Sequence, residues 1–86
     1  MVYFILTRLG YEQLAMSGLS AGVVLWVNAG VLVAAELSQL RARGFDVTEF
    51  LEQIDPMDLQ ELEDAVDTIK DHHPDQVIWV EHAYAA

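Results

Sequence analysis

The 86-residue chain contains no cysteine. That excludes a disulfide scaffold and thiolate-bound metal, and nothing in the sequence demands an oxidising compartment. The expected location is the cytoplasm. Cations are nearly as scarce, with four Lys and Arg against fourteen carboxylates. The shortage is uneven. Residues 1–44 hold Arg8, Arg41 and Arg43 against Glu12 and Glu36, a net +1, whereas residues 45–86 hold twelve carboxylates against Lys70 alone, a net −11. Phosphate contacts need lysine and arginine, so direct binding of nucleic acid or of an anionic membrane is not expected. A basic protein surface suits the acidic half better as a partner.

Long hydrophobic runs are also missing. Residues 13–35 carry no charge and reach the length of a bilayer span, and Gly18 and Gly22 have the G-x-x-x-G spacing of packed transmembrane helices. Yet Ser17, Gly18, Ser20, Gly22, Asn28 and Gly30 break the stretch up. Its continuous apolar part, residues 23–27, is short and rich in β-branched side chains, as a buried strand is. A signal peptide is not expected either, because apolar residues 2–6 precede the first cation, Arg8.

What the chain does have is apolar material, 53% of its residues, and a domain this small has little interior to hide it in. Some of it should face a partner, and the simplest partner is a second copy, so a homodimer is expected. Repulsion between carboxylates keeps the acidic face out of such a contact. The near-neutral first half, or the last strand with Trp79 and Tyr84, is the expected interface.

Along the chain, residues 2–6 form an apolar run of strand type. Thr7 is suited to cap a short helix through Tyr11, Leu14 and Ala15. The alternative is a hairpin over residues 8–21, which would make the sheet mixed. Residues 23–28 read as a second strand, and Ala29-Gly30 as a turn. Val33, Leu37 and Leu40 then fall on one stripe of an amphipathic helix, with Arg41 and Arg43 in its last turn and Gly44 as its stop. Residues 45–52 read as a third strand. Asp55 is the expected cap of the next helix, with Pro56 at its first position and Asp58 in its first turn. Its stripe is Leu59, Leu62, Val66 and Ile69, with Lys70 near the end and Pro74 as the stop. Residues 77–80 form the last strand. The expected fold is one α/β domain over residues 1–86: a sheet of about four strands, parallel or mixed, in two or three layers with two main amphipathic helices.

The motifs carry little chemistry. Gly18-Leu19-Ser20-Ala21-Gly22 matches G-x-S-x-G, but a nucleophile elbow follows a strand, and this one precedes a strand. Asp71-His72-His73-Pro74-Asp75 offers zinc-type ligands, yet adjacent helical side chains diverge by about 100° and do not share an ion easily. Glycine loops that cradle phosphate are lacking. No catalytic residue, metal or cofactor is expected. Two sets of residues remain as candidates. Glu61, Glu63, Asp64, Asp67 and Asp71 lie off the apolar stripe of the last helix, as a solvated face or as an acidic interaction face. Thr7, Asn28, Asp55 and His82 fall near the carboxyl ends of the strands, where a parallel sheet binds ligands.

The function expected from this set is a small acidic, non-enzymatic protein-interaction domain. One alternative is a ligand-binding domain or enzyme built on the strand-end residues. A second is an acidic inhibitor that imitates nucleic acid.

Overall fold

The computed structural model describes residues 1–19 and 22–81. Seven elements follow one another: β1 (Val2–Ile5), α1 (Arg8–Ser17), β2 (Val24–Val27), α2 (Ala34–Ala42), β3 (Asp46–Glu49), α3 (Leu59–His72) and β4 (Ile78–Val80). The strands form one sheet in the order β3-β2-β1-β4, and every neighbouring pair is parallel. The fold is α/β. Residues 8–17 are helical, so the hairpin alternative and its mixed sheet are set aside. Thr7 caps α1 as expected, its hydroxyl accepting from Gly10 N at 3.1 Å.

Parallel strands need crossovers, and the crossovers leave both faces of the sheet apolar. Val2, Phe4 and Leu6 alternate with Tyr3 and Ile5, so β1 feeds two clusters. Val2, Phe4, Leu6, Val24 and Trp26 pack with Ala65 and Ile69 of α3. Ile5, Leu25, Val27 and Val47 pack with Leu40 of α2, and Tyr11 and Leu14 of α1 join them. β1 and β2 lie between these clusters and are the best-buried strands.

Four details differ from the sequence expectation. α3 begins at Leu59 with Asp58 as its cap, the carboxylate accepting from Gln60 N and Glu61 N. Asp55 instead accepts from Met57 N in the preceding turn. Leu59, 75% exposed, falls off the stripe, whose buried centre is Ala65 and Ile69 with Leu62 and Val66 beside it. At 100° per residue, Leu59 stands roughly 80° from Ile69, on the shoulder of the packed face. Val33 likewise sits at the exposed start of α2, while Val31 and Leu32 just before it are buried. Finally, β4 is apolar on both faces but is an edge strand of the described sheet, and only Ile78 packs into the core.

The described part of residues 13–35 is divided among α1, β2, the turns around it and the start of α2. No helix among the described residues is long and apolar enough to cross a membrane.

Candidate functional site

A wholly parallel sheet gathers its strand exits at one end, and two of the residues placed there from sequence do meet. Thr7 and Asn28 line a small crevice of about 260 Å³ with Arg8, Gly30, Gln53 and Pro56. Their polar groups are already engaged. Asn28, only 2% exposed, donates Nδ2 to the carbonyls of Leu6 (3.2 Å) and Ile54 (2.8 Å). Its Oδ1 accepts from Ala29 N (2.9 Å) and Ile54 N (2.8 Å). That uses the full capacity of the amide, which therefore ties the exits of β1, β2 and β3 together and has nothing left for a ligand.

Thr7 is engaged from the other side. The carboxylate of Glu81, the residue after β4, accepts from Leu6 N at 2.8 Å, from Thr7 N at 2.9 Å and from the Thr7 hydroxyl. α1 has no acidic residue in its own first turn, and Glu81 supplies the negative charge that its N-terminus favours. Arg8 turns away from this point. Its guanidinium donates to Glu36 at 2.7 Å, to Glu12 at 3.3 Å and to the Val31 carbonyl at 3.2 Å. The hydrogen bond from Arg8, with a second from Val33 N, holds the Glu36 carboxyl below its ordinary range. Glu36 in return raises the Arg8 guanidinium, again chiefly through the hydrogen bond. Asp55 does not line this crevice; it lines an adjoining one with Gln53, Ile54, Pro56 and Glu61. His82 and Tyr84 lie outside the described residues, as do Ser20 and Ala21 of the G-x-S-x-G motif.

The five carboxylates of α3 are all exposed. Glu63 and Asp67 flank Leu59, Leu62, Val66 and Lys70 on one side of the helix. Glu61 and Asp64 border a larger groove on the other side, of about 480 Å³. Asp71 lines neither. At 100° per residue these five positions spread across most of the helix's solvent arc.

The groove is larger than the crevice at the strand exits. It runs between α3 and the loop that leaves β3, and its lining includes Trp26, Phe50, Ile54 and Ala65. Trp26 and Phe50 pack with tilted rings 5.3 Å apart between centroids, and the Phe50 ring lies 5.4 Å from that of Phe4. Around this apolar floor stand Glu49, Glu52, Glu61 and Asp64. No lysine or arginine lines it.

His72 also lines the groove. Its ring packs on Trp26 at 5.2 Å, its Nδ1 lies 2.9 Å from the Thr68 carbonyl, and His73 meets the edge of Trp26 at 6.1 Å. Both imidazoles thus belong to the aromatic cluster around Trp26. Among the described residues no group of three or more metal-ligating side chains converges. The indole N–H of Trp26 is a buried donor without an acceptor there.

Glu49, Phe50 and Glu52 were not singled out from sequence, because residues 45–52 read as one strand. The signal was present in the aromatic residue bracketed by acids, Glu49-Phe50-Leu51-Glu52. In a strand that alternation would be interrupted, whereas a loop leaves the Phe ring free to turn inward and the carboxylates outward. Compared with protein-family models, with curated proteins and with solved structures, the chain matches none.

Proposed function

We propose that this chain is an acidic, non-enzymatic interaction domain of the cytoplasm, and that the groove beside α3 receives a basic segment of another protein. The observation that carries this reading is the pairing of an aromatic floor with four carboxylates and no lysine or arginine in one concavity. An arginine or lysine side chain matches both parts, because its methylene stem covers apolar surface while its charged head reaches the rim. The net charge of −10 draws such a segment in from a distance. A ligand-binding or catalytic role at the strand exits is less well supported, because Asn28 and Thr7 spend their polar atoms inside the protein. Imitation of nucleic acid would rest on charge alone, whereas the groove pairs its carboxylates with an aromatic floor.

The test is titration with a short arginine-rich peptide, followed by the emission of Trp26 in a Trp79→Phe background. Glu61→Gln with Asp64→Asn should weaken binding by about tenfold, equivalent to roughly 1.4 kcal/mol. Glu63→Gln with Asp67→Asn removes the same charge from the opposite flank and should cost much less. Equal losses in the two double variants would mean undirected charge attraction, and the groove reading would fall.

A further inference from the structure

Unlike β3, β4 ends the described sheet on an open edge. Val77 O accepts from Val2 N, and Glu81 N donates to Phe4 O, each at 2.9 Å. Residues 77, 79 and 81 therefore turn their backbone groups toward β1. By the alternation of a strand, Ile78 and Val80 turn theirs outward. No hydrogen bond among the described residues fills those outward N–H and C=O groups.

The opposite edge is treated differently. The outward carbonyl of Val47 in β3 accepts from Arg41 Nε at 3.3 Å and Nη2 at 2.8 Å, and the strand carries Asp46 and Glu49. Capped carbonyls and charges are the usual protection of an edge strand. β4 has neither. Val77, Trp79 and Val80 are 64%, 55% and 43% exposed, and residues 77–80 carry no charge.

We infer that β4 is the seam along which two copies of this chain join, antiparallel about a two-fold axis at Trp79. The seam lies at the far side of the sheet from the groove and does not depend on the basic-partner reading. A second copy fits because the edge is self-complementary. With residue 79 on the axis, Ile78 of one copy stands opposite Val80 of the other, and both of their outward N–H and C=O groups are satisfied at once. Trp79 then faces Trp79 in a non-hydrogen-bonded pair, where cross-strand side chains come closest. Glu81 falls opposite Val77, so no like charges meet in the seam.

The test is the state of the full chain in solution. Sedimentation at micromolar concentration should show a dimer, and added salt should tighten it by screening the charge of −10 on each copy. Trp79→Glu should give a monomer with an unchanged far-ultraviolet spectrum. Trp79→Cys keeps the test independent of that variant's folding, since the chain has no other cysteine. Antiparallel non-hydrogen-bonded partners stand at about 4.5 Å between Cα atoms, within reach of a disulfide. Mild oxidation should therefore link this variant into covalent dimers and leave Leu9→Cys, on exposed α1 surface, largely unlinked. A monomeric wild-type chain overturns the seam. So does a dimer that survives Trp79→Glu, or one that links no better through position 79 than through position 9.

Discussion

The carboxylate of Glu81 lies where a β-carbon on Gly10 would be. Gly10 belongs to the first turn of α1, and Glu81 reaches it from the far end of β4 after accepting from Leu6 N and Thr7 N. An alanine at position 10 would normally strengthen a helix by about 1 kcal/mol. Here it must displace a carboxylate with three hydrogen-bond donors around it. Gly10→Ala should therefore destabilise the native chain by roughly 1–2 kcal/mol, and the same change should stabilise a Glu81→Ala chain. Urea denaturation of the four chains in the cycle measures this. The same sign in both backgrounds would refute the contact.

Asn28→Ala should be among the costliest single changes, at roughly 3–5 kcal/mol. It removes four hydrogen bonds at a buried site and strands the groups of Leu6, Ala29 and Ile54 that they served. Asn28→Asp should be no milder, because it turns a carboxylate oxygen toward the carbonyls of Leu6 and Ile54. A midpoint shift below 1 kcal/mol for Asn28→Ala would show that the amide is not the staple of the strand exits.

The Arg8–Glu36 contact sets a direction for pH dependence. The Glu36 carboxyl is held below its ordinary 4.5, so its unfolded form binds a proton more readily than its folded form. Its contribution to stability is whole above about pH 4.5 and is lost as pH falls through the lower folded value. The raised Arg8 guanidinium works in the opposite sense, its contribution fading only in strong alkali. The stability gap between the native chain and Glu36→Gln should thus shrink between pH 5 and 3 ~ the range that spans the carboxyl titration. Neither group is buried, so salt should narrow the gap at neutral pH as well. A gap that stays constant down to pH 3 would rule the linkage out.

Truncations along α3 should rank by depth. Ile69→Ala should cost about 2–4 kcal/mol, because the side chain is fully buried against Phe4 and its neighbours. Leu62→Ala and Val66→Ala, at half-buried positions, should cost about 1–2 kcal/mol each. Leu59→Ala should fall within about 0.5 kcal/mol. Thermal melts of the four variants give the order, and a large loss at Leu59 would move the packed face of the helix.

Local pattern was enough to determine that this is an α/β chain, whereas the choice between a parallel and a mixed sheet was decided only by the helix at residues 8–17. Residues 2–6 and 23–28 are apolar without interruption, and only a strand covered on both faces asks for that. Thr7 ahead of α1, and Gly44 at φ +91° after the C-cap Arg43 of α2, mark helix ends through backbone chemistry that lies within a few residues. The acidic second half could be counted.

Strand order was decided elsewhere. Val24-Leu25-Trp26-Val27 and Val77-Ile78-Trp79-Val80 are almost the same sequence, yet β2 is buried and β4 lies at the sheet's edge. Their tryptophans even point to opposite faces, since Trp26 is in register with Phe4 and Trp79 with Tyr3. Periodicity records how much apolar surface a segment presents, and the direction of each crossover decides which neighbour covers it. The groove has the same origin. Glu49, Phe50 and Glu52 meet Glu61, Asp64 and Trp26 only because α3 crosses back over the sheet beside the loop that leaves β3. Glu81 meets Gly10 for the same reason, because strands distant in sequence become neighbours in a parallel sheet and no local pattern carries that pairing.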